Sequence, residues 1–207
     1  MYRKARLSTH IPVEAPRLTH LGVMLSNYNL VCQLYIPSVQ ARAHVAAAVA
    51  AGEPAPSPVR TIAHLPIAHI AGVFGYLISP IFSGGAVYWM QKFSWKPFLA
   101  HMKALRITVF YTVPSIFLRI AKSPDVTDQF DTVEVAITGA AKMDADLQQA
   151  ANARLGKGNT RISQTWGLSE TTVSSDSPHP HLGPHVSKHR QPESRHHVWS
   201  LSYLKNA

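Results

Sequence analysis

Between Thr61 and Thr165 the chain alternates short apolar runs, rich in β-branched and aromatic residues, with longer stretches of helical period. Thr61–Pro66, Ala86–Met90, Ile107–Thr112, Val133–Thr138 and Arg161–Thr165 read as strands. Ile70–Ile81 reads as a buried helix, and Trp95–Ala104 as a helix with Phe98, Leu99 and Met102 inward. Pro114–Ala121 opens with proline in a first turn, where a missing N–H costs nothing. Asp144–Leu155 reads as a helix with Asp144 as N-cap. Upstream, 23–35 suits a helix with Val23, Leu30 and Leu34 on one face, 41–51 is alanine-rich and helix-prone, and 52–59 is a Pro-rich loop. Strand–helix alternation with short apolar strands implies a parallel sheet covered on both faces. Ligands of such sheets bind at the carboxyl ends of the strands. The turns after Val133–Thr138 and after Arg161–Thr165 are therefore the first places to look.

The rest of the sequence narrows the class of protein. Of the 207 residues, 46 % are apolar and 15 % charged, enough to bury a core. The single cysteine, Cys32, excludes an internal disulfide framework and a cysteine-only zinc site. The formal charge of +9 is spread out: +3 in residues 1–20, +2 in 173–207 and +4 between them, with no stripe of the kind nucleic acid requires. Residues 1–20 show no sustained period, and 173–207 mix six of the 12 histidines with Ser, Pro and Arg. Both ends are expected to be poorly ordered. His179 with His181, or His185 with His189, could share an ion, but no scaffold of four fixed ligands is evident. No apolar signal segment follows Arg3, Lys4 and Arg6, and the last residues are not Ser-Lys-Leu, so the cytoplasm is the expected location. No Asp, Glu, Lys or Arg lies between Arg60 and Lys92, which raises one membrane span near residues 65–90 as an alternative. His64, Pro66, His69, Pro80 and Ser83-Gly84-Gly85 interrupt that run where a strand–helix–strand unit needs its turns.

Three short segments could carry chemistry. In Thr138-Gly139-Ala140-Ala141, small residues after a strand let a ligand approach the backbone, although a plain strand-to-helix turn needs them too. Gln164-Thr165-Trp166-Gly167-Leu168-Ser169-Glu170-Thr171-Thr172 gathers an aromatic face, a glycine, hydroxyls and one carboxylate. These can stack on a base, bond phosphate oxygens and hold Mg²⁺. Without a ligand, the same segment reads as a helix capped by Ser169 or Thr171 with Trp166 in the core. Leu65-Pro66-Ile67-Ala68-His69-Ile70-Ala71-Gly72 places His69 at a strand-to-helix junction, as a ligand-facing or as a structural residue.

Taken in order, LPIAHIAG, FSGGAVYWMQKF, ITVFYTVPSI, VEVAITGAAKM and QTWGLSETT resemble the AMP-binding, adenylate-forming enzymes, and among them acyl-CoA synthetases of the 4-coumarate–CoA ligase type. The resemblance covers about residues 21–172. It implies an α/β fold, part of the parallel-sheet sandwich of that family's N-terminal domain, flanked by poorly ordered termini. It also implies activation of a small carboxylic acid by ATP with Mg²⁺, giving an acyl-adenylate that CoA then converts to a thioester. Carried over, Trp166 stands where the family has a tyrosine beside the adenine, followed by Gly167. Ser169 takes the threonine position near the α-phosphate, and Glu170 that of the Mg²⁺-binding glutamate. Gly139, Ala140 and Ala141 match the turn bordering adenine and acyl pocket, Gln164 and Thr165 lead into the nucleotide segment, and His69 with Gly72 matches the acyl-pocket entrance.

The flanks depart from the family pattern. Ala15-Pro16-Arg17-Leu18-Thr19-His20-Leu21 stands where the family has a glycine-rich phosphate loop ending in lysine. Turning backbone N–H groups toward phosphate takes those glycines, and a cation belongs beside them. After Thr172 the family's ribose-binding Tyr-x-Thr-Gly-Asp strand and C-terminal lysine domain find no counterpart. Little or no adenylation by this chain is the expectation, with a non-catalytic, partner-binding remnant as the alternative.

Overall fold

The computed structural model describes residues 23–172. The elements in order are α1 (Asn27–Ala50), β1 (Arg60–Ala63), α2 (Ile70–Val73), a π-helical turn (Phe74–Ile78), α3 (Ser79–Ser83), β2 (Ala86–Trp89), α4 (Trp95–Ala104), β3 (Val109–Thr112), α5 (Pro114–Lys122), β4 (Val135–Thr138), α6 (Ala145–Asn152) and β5 (Ile162–Gln164). The expected poorly ordered ends, 1–20 and 173–207, lie outside the described residues.

Among the described residues, the pairings of β1 to β5 are parallel. β2 pairs with β1 in the register Arg60↔Ala86, and β3–β4–β5 form a second sheet in which Thr112, Thr138 and Gln164 lie side by side. The sheets meet at the start of β1 and β3. Thr108 N–H donates to Arg60 O (3.0 Å), and Arg60 N–H donates to Thr108 Oγ1 (2.9 Å). The spatial order is therefore β2-β1-β3-β4-β5, and the chain changes direction between β1 and β3. That seam is a topological switch point.

Because side chains alternate across a strand, Ile62, Phe110, Ala136 and Ile162 point to one face. There they pack with Trp95, Phe98, Leu99 and Met102 of α4, Phe117 and Ile120 of α5, and Ala151 of α6. The rings of Phe98, Phe110, Phe117 and Phe130 meet at centroid distances of 5.6–6.2 Å, the offset and tilted range aromatic pairs prefer. Arg119 lies 4.3 Å over the Trp95 ring. On the opposite face, a Cβ at Gly75 would touch the Tyr111 ring at 3.8 Å, so the π-helical turn lies directly on the sheet.

Four expectations change. The two upstream helices are one, α1. It begins where Ser26 caps it through Asn29 N–H (3.1 Å) while Asn29 bonds back to Ser26 N–H (3.2 Å). It runs through Pro37, which cannot donate to Gln33 O, and Val23 precedes it. The expected buried helix over Ile70–Ile81 is two short helices around a π-helical turn, with Leu77, Ile81 and Phe82 exposed. Pro80 lacks an N–H, and just before it the ladder widens, Ser79 N–H donating to Phe74 O. Trp166 is 63 % exposed, so it is not a core residue. The membrane-span alternative fails: residues 65–90 form a helix–strand unit, and among the described residues no helix is long and apolar enough to cross a bilayer.

Candidate functional site

A cleft of about 1330 Å³ opens at the carboxyl ends of β1, β3, β4 and β5. Four strand ends supply its floor: Leu65–Pro66, Tyr111–Val113, Thr138–Ala140 and Thr165 with Gly167–Glu170. α2, the π-helical turn and α3 form one wall, and the side of α1 bearing Gln33, Pro37 and His44 forms another.

His69, Gly72, Gly139, Ala140, Thr165, Gly167, Ser169 and Glu170 all line this cleft. Residues more than ninety positions apart in sequence are thus gathered at one sheet end. Ala141, Gln164 and Trp166 are not part of the lining. The Gln164 side chain is occupied elsewhere. It accepts from Met143 N–H (3.2 Å) and donates to Met143 O (3.1 Å) and Gln148 Oε1 (2.9 Å), tying β5 to the start of α6.

The local geometry gives several of these residues a physical reason. Ala140 adopts φ +68°, a left-handed conformation that costs a residue with a Cβ about 1–2 kcal/mol and turns the chain sharply at the end of β4. A Cβ at Gly139 would lie 2.9 Å from Thr165 Oγ1, so the turns after β4 and β5 are in contact. Thr165 N–H donates to Thr138 O (2.8 Å), extending the ladder past the strands. A Cβ at Gly72 would lie 2.4 Å from Pro66 O; only glycine lets α2 pass that carbonyl. His69 caps α2, its Nδ1 accepting from Ala71 N–H (3.1 Å), which places the proton of the neutral ring on Nε2. Ser169–Thr171 form a single 3₁₀ turn, held by Thr171 Oγ1 accepting from Leu168 N–H (2.8 Å) and donating to Leu168 O (3.0 Å). That turn sets Ser169 and Glu170 on the cleft.

Sequence reasoning missed the polar seam beside the floor. At the carboxyl end of β1, His64 Nδ1 lies 3.1 Å from Ile62 O and Nε2 lies 2.9 Å from Thr112 Oγ1. A carbonyl only accepts, so Nδ1 carries the proton and Nε2 accepts from the Thr112 hydroxyl. The ring stacks on Phe110 (5.5 Å, 23°), and burial drives its pKa down to about 4. Tyr76 reaches the same point, its hydroxyl 3.5 Å from His64 Nδ1 and donating to Tyr111 O (3.4 Å); burial pushes this phenol upward. Thr108 joins β1 and β3 at their start, through its main chain and its hydroxyl, and side chains join them at their end. His64, Thr112 and Tyr76 therefore brace the switch point, and Thr112 and Tyr76 at the same time line the cleft. Thr138 Oγ1 is buried without a hydrogen-bond partner beside that opening. The sequence signal was available: His64 and Thr112 are polar residues directly after Ile62-Ala63 and Phe110-Tyr111, at the ends of their strands. Among the described residues no three His, Cys, Asp or Glu gather as a metal site, and the histidine pairs at 179–189 lie outside them.

Comparison with known proteins gives this geometry its class. The AMP-binding enzyme family matches residues 22–194, running beyond Thr172. A protein of Emericella nidulans named as an acyl-coenzyme A synthetase is 40 % identical over 154 residues, which are 74 % of this chain and 26 % of that protein. 4-Coumarate–CoA ligase 1 of Petroselinum crispum is 34 % identical over 108 residues, 51 % of this chain and 19 % of that one. Among solved structures, ATP-bound MatB from Rhodopseudomonas palustris superposes with a TM-score of 0.59 at 25 % identity, over 76 % of this chain and 28 % of its own. The chain belongs to the AMP-binding enzyme family. It spans about a quarter of the length of the first of these relatives.

Proposed function

We propose that the cleft is the nucleotide- and acid-binding part of an acyl-CoA ligase site. The reaction is that of the family: a carboxylic acid and ATP give an acyl-adenylate and pyrophosphate, and CoA then displaces AMP to form the thioester. One observation carries this reading. The Thr138–Ala140 turn and the Gly167–Glu170 segment come from strands paired side by side and border one opening.

The residues present fit the group they would hold. The close contact of Gly139 with Thr165 keeps side chains off the turn, so a flat base can lie along the backbone. Trp166, next in sequence to Thr165 and outside the cleft lining, is the aromatic residue assigned to the base. The buried, unpartnered Thr138 Oγ1 offers a hydroxyl at the same strand end. Ser169 is a hydrogen-bond partner for a phosphate oxygen, and Glu170 a hard oxygen ligand for Mg²⁺. Bound Mg²⁺ neutralises phosphate charge; the protein's part is to orient the carboxylate. The apolar floor and the His69–Gly72 entrance suit the acyl group. The acid, CoA and their order of binding belong to this same proposal.

Calorimetric titration with Mg²⁺–ATP and with AMP tests it. Glu170→Gln is expected to weaken Mg²⁺–ATP roughly tenfold or more while leaving AMP nearly unchanged, because only the metal-borne contact is lost. Absence of nucleotide binding, or equal loss for both ligands, would overturn the assignment. Acid-dependent ATP–pyrophosphate exchange is expected to be slight, because Ala15–Leu21 supplies neither glycines nor a lysine for the phosphates. One missing preorganised donor alone costs roughly 10²–10³ in rate.

A further inference from the structure

Five of the eight α1 residues that line the cleft carry hydrogen-bonding side chains: Gln33, Ser38, Gln40, Arg42 and His44. At about 100° per residue, Gln33, Gln40 and His44 run along one border of that side. Ser38 and Arg42 run along the other, with apolar residues between the two borders. α1 contains no Asp or Glu, and Arg42 is its single Lys or Arg. Among the described residues lining the cleft, Arg42 is also the one Lys or Arg, and Glu170 the one Asp or Glu.

The Arg42 guanidinium is held in place. Its Nε–H donates to Ser38 O (3.2 Å) and its Nη2 to Ser38 Oγ (3.0 Å), while the Ser38 hydroxyl donates to Tyr35 O (2.8 Å). Those bonds use two of the five guanidinium N–H groups and orient the plane of the fork. Among the described residues no carboxylate pairs with it. We propose, resting on the reading of the cleft as a nucleotide and CoA site, that Arg42 binds a phosphate group of the substrate at the border of the cleft. A charge at the border acts on the part of a ligand that leaves the opening. Of the groups the proposed reaction brings there, the base and the acyl chain carry no negative charge, and the phosphates of ATP and of CoA do. Both offer the same chemistry, phosphate oxygens that a guanidinium fork takes in pairs.

A bond from Arg42 to Ser38, four residues back, also suits an ordinary helix surface. That structural contact needs a donor and no charge, so an amide at position 42 serves it too. An anion in the cleft needs the charge. The two readings therefore separate on replacing the guanidinium by a neutral donor.

Calorimetric titration of the full chain with inorganic pyrophosphate, without Mg²⁺, tests this, because neither base recognition nor a metal on Glu170 takes part. Arg42→Gln is expected to weaken pyrophosphate roughly fivefold or more, and Arg42→Lys to keep part of the affinity as a point charge. Wild-type affinity should fall as salt is raised, and Arg42→Gln should show a shallower dependence. Circular dichroism should be unchanged in both variants, because the side chain is exposed. Parallel titrations name the source of the phosphate. A loss for Mg²⁺–ATP and not for CoA places Arg42 on the nucleotide, and the reverse places it on CoA. Adenosine and pantetheine, which carry no phosphate, should bind wild type and Arg42→Gln alike. Arg42-dependent pyrophosphate binding by a chain that takes neither ATP nor CoA would keep the phosphate contact and remove the ligase reading of the cleft. Three results overturn the proposal: a wild type that takes no pyrophosphate, ATP or CoA; equal affinities in wild type and Arg42→Gln; or an equal loss for adenosine and pantetheine.

Discussion

Two glycines of the site show how the same residue type answers to different constraints. A Cβ at Gly72 meets main chain, Pro66 O at 2.4 Å and Ile67 Cα at 2.9 Å, which cannot move without displacing α2. A Cβ at Gly139 meets Thr165 Oγ1 at 2.9 Å, and a threonine side chain can rotate away. Gly72→Ala is therefore expected to lower the unfolding free energy by about 2–3 kcal/mol, within the range for overpacking a fixed environment. Gly139→Ala should cost less than half of that while weakening nucleotide binding, since the turned threonine would occupy the cleft. Urea denaturation midpoints and AMP titration of the two variants check this. A Gly139→Ala protein as unstable as Gly72→Ala would show that the turn after β4 is held by packing rather than kept open for a ligand. Gly72 thus has a complete packing explanation, independent of the acyl-entrance role proposed for it.

At the scale of elements, what was legible was whatever is encoded locally. β1 to β5 and α4 to α6 follow from apolar period, from Pro114 in a first turn and from Asp144, whose Oδ1 accepts from Leu147 N–H (2.8 Å). Asp144→Ala should accordingly cost about 1 kcal/mol in chemical denaturation, the usual worth of such a cap. A loss under a few tenths would mean that α6 is held by Gln148 and Gln164 instead. α1 was misread because Pro37 ordinarily ends a helix and its cost depends on surroundings the sequence does not show. The π-helical turn likewise answers to Pro80 only once α2 and α3 are laid on Tyr111. The site was legible in part for the same reason. Gly139, Ser169 and Glu170 sit in short motifs at strand ends. The α1 wall and the His64–Thr112 seam exist only when segments some fifty residues or more apart are brought together.

For the molecule as a whole, the seam between its two sheets makes stability depend on pH. In the unfolded chain His64 titrates near the ordinary value of 6.5; folded, burial among Phe98, Phe110 and Tyr76 holds it neutral down to about 4. Between those values the unfolded chain binds a proton that the folded chain refuses. Stability therefore falls as the pH is lowered through this window, by roughly 1.4 kcal/mol per pH unit and about 3 kcal/mol in full, and this group contributes no slope above 6.5. Asp128 does not confuse the measurement. Its hydrogen bond from Lys103 Nζ (2.6 Å) holds it below the usual carboxylate range, and it lies on the surface. Denaturation at pH 7 and pH 5 should show the wild-type loss, and His64→Phe should remove most of the slope. That variant also leaves Ile62 O and the Thr112 hydroxyl without the ring, a cost of about 1–3 kcal/mol at every pH, so the test lies in the slope and not in the level. An unchanged slope in His64→Phe would place the pH sensitivity in another histidine. A vanished slope would show that protonation of this one buried ring, which bonds Thr112 across the β1–β3 seam, carries the acid sensitivity of the fold.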